Sequence, residues 1–194
     1  MRPPFDRIPA GFAKRLSSFP GLILLGVLTL ALGDPMRTHS DALIGPMTPF
    51  GILSLQLTWN AEAASAILSA WDSVALQHAR LSLYWDMGFA PAYGILLAAL
   101  THRLLQRAKP NRPLQSGIAW LPLWATLADW LENLFHLSLL SATEFGANSH
   151  WAALACTTAL VKWSLLASWL IGFVWLAMRV KPRVKSGFHP DHPD

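Results

Sequence analysis

The chain has 194 residues, 53% of them hydrophobic and 13% charged, with ten Trp and a formal net charge of +4. A soluble domain carries roughly 25% charged residues, so this composition excludes a water-facing surface of ordinary size. A single cysteine, Cys156, excludes an internal disulfide and a cysteine-cluster metal site.

Four stretches lack the polar punctuation of soluble structure: residues 16–33, 81–105, 117–140 and 151–178. Each is near or above the roughly 20 residues that cross a bilayer as a helix. Backbone groups in lipid must pair within their own segment, so the spans are helices. The expected fold is all-α, a polytopic membrane four-helix bundle in one domain over 1–194, with a polar tail at 179–194.

The basic residues orient it. Arg2, Arg7, Lys14 and Arg15 precede the first span, and Arg103, Arg107, Lys109 and Arg112 separate the second from the third. Arg179, Lys181, Arg183 and Lys185 follow the fourth, while the other side holds Arg37 and Arg80. By the positive-inside rule both termini are cytoplasmic. The pI near 9.6 is thus a topology signal and not a nucleic-acid patch. Trp85 and Trp151 suit the outer interface; Trp120, Trp124 and Trp175 suit the inner one. The first span, with its basic flank and Ala31-Leu32-Gly33, also has the pattern of a cleavable signal peptide. An uncleaved helix is the favoured reading.

Gly33-Asp34-Pro35 is expected to end the first helix, and Gly45-Pro46 with Pro49 marks a further turn. Residues 34–80 then form an outer segment. Phe50 to Trp59 is apolar but too short to span. Ala64, Ile67, Leu68 and Trp71 recur at helical spacing, with Glu62, Ser65, Ser69 and Asp72 elsewhere on the turn. That spacing predicts an amphipathic helix, either covering the rim or serving as a lid.

In the second span, Asp86 shares a face with Ala90 and Tyr93. Pro91 frees the carbonyl of Met87 and kinks the helix there. Gly88 and Gly94 read as sites of close helix contact, and Cys156 in the fourth span as a small core residue.

The third span carries Asp129, Glu132, Asn133 and His136 at i, i+3, i+4 and i+7, inside a wedge of about 100°. Polar residues confined to one wedge point into the protein. Lys162, with Thr158 on its face, supplies a cation from the fourth span. From the helical rise Asp129 lies near the bilayer centre, Glu132 and Lys162 about 5 Å outward, and His136 and Asp86 about 10 Å outward. Four independent ionised side chains at such depths would cost about 10 kcal/mol, so they have to be paired or neutralised. Lys162 can offset one of three carboxylates.

Several roles remain open for this cluster: interhelical glue, a pocket for a small or amphipathic ligand, a metal site, or a proton or cation path. Asn133-x-x-His136 replaces the Glu-x-x-His of di-iron bundles, which argues against a metal. No charged residue continues into the inner half of any span, which argues against a conduit. No cofactor motif, phosphate loop or Ser-His-Asp arrangement is visible. His39, His78 and His150 lie outside without metal spacing among themselves, and His189 and His192 sit in the polar tail. The expected partners are the bilayer, a ligand of this kind and an oligomeric or membrane neighbour.

Ile67-Leu-Ser-Ala-Trp71, Ala79 to Asp86, Ala92-Tyr93-Gly94, Asp129-Trp-Leu-Glu132-Asn133 and Lys162-Trp163 together form a pattern over residues 50–165. It resembles small four-span bacterial membrane proteins of no assigned activity. That resemblance implies the architecture and the positions of the cluster alone. The layout is also similar to emopamil-binding-type sterol isomerases in placing acids in a membrane pocket, although their motifs are not matched here.

Overall fold

Helices are the regular elements throughout the described residues of the computed structural model, which comprise 3–108, 117–145 and 150–180. Arg2, Lys109, Arg112, Lys181, Arg183, Lys185, His189 and His192 lie outside that set. A 3-10 turn at Pro4–Arg7 leads into α1 (Ala10–Leu16), α2 (Phe19–Asp41), α3 (Ile52–Gln56) and α4 (Ala61–Ala70). Three long helices follow: α5 (Ser73–Ala108), α6 (Leu121–Phe145) and α7 (His150–Arg179). Local caps start several of them. Ser18 accepts from the Gly21 amide at 3.2 Å, Asn60 from Ala63 at 2.8 Å and Asp72 from Ala75 at 2.8 Å, each satisfying an orphan donor of a first turn.

Among the described residues α2, α5 and α7 are long and apolar enough to cross a membrane. α6 has the length, at 25 residues, but its polar stripe dilutes it. The long helices pack in chain order, α2 on α5, α5 on α6 and α6 on α7, with a lesser contact between α5 and α7. Small residues make close approach feasible: Ala79, Ala90, Ala98, Ala99, Ala125, Ala155 and Ala159 are buried along these seams. Gly94 likewise faces Thr126 and the Pro122 carbonyl so closely that a Cβ would collide.

One expectation is overturned. α2 does not end at Gly33-Asp34-Pro35 but continues through Pro35 to Asp41. Pro35 removes one helical bond, yet α5 holds the extra turns in place. The Ser82 hydroxyl donates to the Met36 carbonyl at 3.1 Å. A Cβ on Gly33 would lie 3.0 Å from the Phe89 ring, so glycine there seats that ring. Packing along a long neighbour outweighs a local breaker, as it commonly does for helices.

α3 and α4 cap one end of the long helices. Leu43, Ile52, Leu55, Ala64, Ile67 and Leu68 form one core with Ala79, Leu83, Leu139, Leu140 and Ala152. The amphipathic reading of α4 holds for Ala64, Ile67 and Leu68, which are buried, and for Glu62, Ser65 and Ser69, which are exposed, but Trp71 and Asp72 fall beyond its end at Ala70. Gly51, at φ +59°, makes the turn into α3 beside Ser40, where a side chain would clash. At the opposite end α1 and the 3-10 turn lie against α5. There Phe5 stacks on His102 and the Arg103 guanidinium donates to the Ser17 carbonyl at 3.1 Å.

α6 is inverted relative to a helix on a soluble protein. Its exposed face is apolar, made of Trp124, Leu127, Trp130, Leu131 and Leu134, and its buried face is polar. Water would favour the reverse.

Candidate functional site

The buried face of α6 is where the ionisable residues of three helices converge. Glu132, Asn133 and His136 are fully inaccessible, and Asp129, Asp86 and Lys162 are buried beside them. The 3.6-residue period puts the four α6 side chains in one row, α5 presents Asp86 and Tyr93 from one side, and α7 presents Lys162 from the other.

The Lys162 ammonium donates to Asp129 Oδ1 at 2.9 Å and lies 2.6 Å from Glu132 Oε2. The Tyr93 hydroxyl donates to Asp129 Oδ2 at 2.9 Å, and the Asn133 amide donates to Asp86 Oδ2 at 3.0 Å. His136 Nδ1 lies 3.0 Å from the Glu132 carbonyl of its own helix, and its ring also faces the Leu55 carbonyl of α3. The cluster therefore ties α5 to α6 twice and α6 to α7 twice. It also reaches the cap through His136.

The network is incomplete. Among the described residues Glu132 Oε1 and Asn133 Oδ1 are buried without a hydrogen-bond partner, and so are Gln56 Oε1 and Trp71 Nε1 on the cap. Three carboxylates face one ammonium. A buried polar atom left unpaired costs about 1–3 kcal/mol, so a partner for these atoms would be strongly held. Hydrogen-bond donors suit the oxygens of Glu132 and Asn133.

Seven of the eight residues singled out from sequence thus lie in this network. Thr158 does not join it: its hydroxyl donates to the Leu154 and Ala155 carbonyls of its own helix at 2.9 Å each. Two supporting residues escape a reading of the sequence. The Trp130 indole donates at 2.9 Å to the Met87 carbonyl, the group that Pro91 leaves without a helical partner. Thr126 donates to the Ala90 carbonyl at 3.1 Å, next to the same proline. The signal for Trp130 is indirect, since a proline inside a helix calls for a donor from a neighbour.

A second juxtaposition is invisible in the spacing of the chain. His39, near the end of α2, and His78, near the start of α5, bring their Nδ1 atoms within 2.9 Å. No group of three or more His, Cys, Asp or Glu is placed to hold a metal ion among the described residues. Comparison with family models, with curated proteins and with solved structures returns no match, so geometry alone carries the functional argument.

Proposed function

We propose that the chain is an inner-membrane protein of four spans, α2, α5, α6 and α7, with cytoplasmic termini. In this reading α3 and α4 lie on the outer face, over an intramembrane site for a small or amphipathic ligand. The inverted polarity of α6 supports the fourth span, because an apolar exterior over a polar interior is stable only where the surroundings are hydrocarbon. Orientation rests on the basic residues gathered at the α1 end. There Arg7 sits 5.2 Å from the Trp120 ring and Arg179 sits 4.2 Å from the Trp175 ring, pairings suited to a headgroup layer.

The observation that carries ligand binding is the pair of unpartnered oxygens on Glu132 and Asn133, among the described residues, within a buried network that holds excess acid. A ligand that donates hydrogen bonds would complete it, and the cap above His136 is the element that would have to move. The other reading, a network that only ties helices together, draws on the crossing bonds of Lys162 and Asn133. It accounts for those bonds and leaves the unpaired atoms unexplained.

Native mass spectrometry of the protein released from mild detergent separates the two. Ligand binding predicts an adduct on the wild type that Glu132→Gln loses while keeping its helical circular dichroism. A wild type free of adducts, with Glu132→Gln altering only the melting temperature, would establish the structural tie.

A further inference from the structure

The paired histidines on α2 and α5 stand apart from the acidic cluster and bear on different chemistry. Both rings are half-buried, so solvent reaches them. Their centroids are 5.1 Å apart, their planes are inclined by 46°, and their Nδ1 atoms are 2.9 Å apart. Without a metal, one imidazole donates its Nδ1 proton to the other's lone pair. With both rings in the Nε2-protonated tautomer, two lone pairs face each other across 2.9 Å at a half-buried site, which is the start of a coordination sphere.

The distance is that of an imidazole–imidazole hydrogen bond and also suits one coordination geometry. With metal–nitrogen bonds of about 2.0–2.1 Å, two ligands at a right angle lie about 2.9 Å apart, whereas two tetrahedral ligands lie about 3.3 Å apart. The observed separation matches cis positions of a square-planar or octahedral ion, the preference of Cu2+ and Ni2+ when nitrogen and oxygen donors are available. Asp41, two positions beyond His39, pairs with Arg37 at 3.4 Å, and the site needs only water at its remaining positions.

The geometry points to His39 and His78 as a two-imidazole site for Cu2+ or Ni2+, which fastens α2 to α5 at the α3–α4 end. Because the two ligands come from separate helices, a bound ion acts as a cross-link. It stabilises the folded form in proportion to its occupancy.

The test uses untagged full-length protein carrying His189→Gln and His192→Gln, which removes the tail imidazoles, titrated with CuCl2, NiCl2 and ZnCl2 after chelator treatment. The expected result is one equivalent of Cu2+ whose electron paramagnetic resonance spectrum shows two imidazole nitrogens. Ni2+ should raise the melting temperature more than Zn2+. His39→Gln and His78→Gln should each weaken binding at least tenfold. Superimposable titrations of these variants and their parent, a spectrum with fewer than two imidazole nitrogens, or a larger shift from Zn2+ than from Ni2+ would each overturn the assignment. The spectrum of the parent decides the question even if a variant fails to fold.

Discussion

Lys162 holds two carboxylates at once, Asp129 at 2.9 Å and Glu132 at 2.6 Å, and its removal should expose how much the network depends on a single cation. Breaking a buried pair by deleting one partner costs about 3–5 kcal/mol, because the orphaned charge stays desolvated. Lys162→Met should therefore lower the melting temperature in detergent sharply. Adding Glu132→Gln should recover part of the loss, a coupling read from the double-mutant cycle by tryptophan fluorescence. If the two losses simply add, the pair contributes nothing as a pair. Residues of this kind were legible in the sequence because charge inside an apolar run has few innocent explanations, and because a 3.6-residue period sorts Asp129, Glu132, Asn133 and His136 onto one face. Their partners across helices were less legible. That Asn133 meets Asp86, or that Thr158 turns to its own backbone, depends on rotation and register between helices, which no single segment encodes.

α5 and α6 share a local repair that ties proline chemistry to packing. Pro91 leaves the Met87 carbonyl without a helical donor, and the Trp130 indole takes that place at 2.9 Å. Trp130→Phe should cost about 1 kcal/mol of stability in the wild type. In a Pro91→Ala background, where residue 91 regains an amide, the same change should cost measurably less. Equal costs in both backgrounds, measured by thermal melts, would detach the tryptophan from the kink. Elements were easiest to read where periodicity was strong. α4 and α7 fell close to their expected places, whereas α5 begins at Ser73, eight residues before the stretch at 81–105. The end of α2 was misread because Gly33-Asp34-Pro35 is a breaker by local propensity, while the Phe89 and Ser82 contacts that keep it helical lie some 50 residues away in sequence. α1 and the 3-10 turn are too short to give a periodic signal, although Phe5 and Ala13 join a buried cluster with Leu25, Ala98 and Ala99.

The molecule as a whole presents apolar side chains outward along all four long helices, from Leu24 and Leu30 on α2 to Ile171 and Met178 on α7. Its ends are unlike, one basic and the other capped by α3 and α4. The proposed orientation makes a direct prediction. Ser65, exposed on α4, should react as Ser65→Cys with a membrane-impermeant maleimide added outside intact spheroplasts, while buried Cys156 stays unlabelled. Labelling of Ser65→Cys only after lysis would reverse the topology. The ion pair between α6 and α7 also has a consequence for how the chain is made. Asp129 and Lys162 are separated by 33 positions, so α6 leaves the ribosome before its counter-charge exists. A segment carrying two acids and a histidine gains little by partitioning into lipid alone, at about 2.5–3.5 kcal/mol for each central charge. If α6 spans the bilayer as proposed, it should wait at the insertion machinery until α7 arrives, and the two should enter as a hairpin. A chain truncated after residue 149 should leave α6 outside the bilayer in a glycosylation-mapping assay, and the full chain should place it within. On that outcome synthesis order, and not only final packing, would bear on why the cation sits on the helix that follows the acids directly.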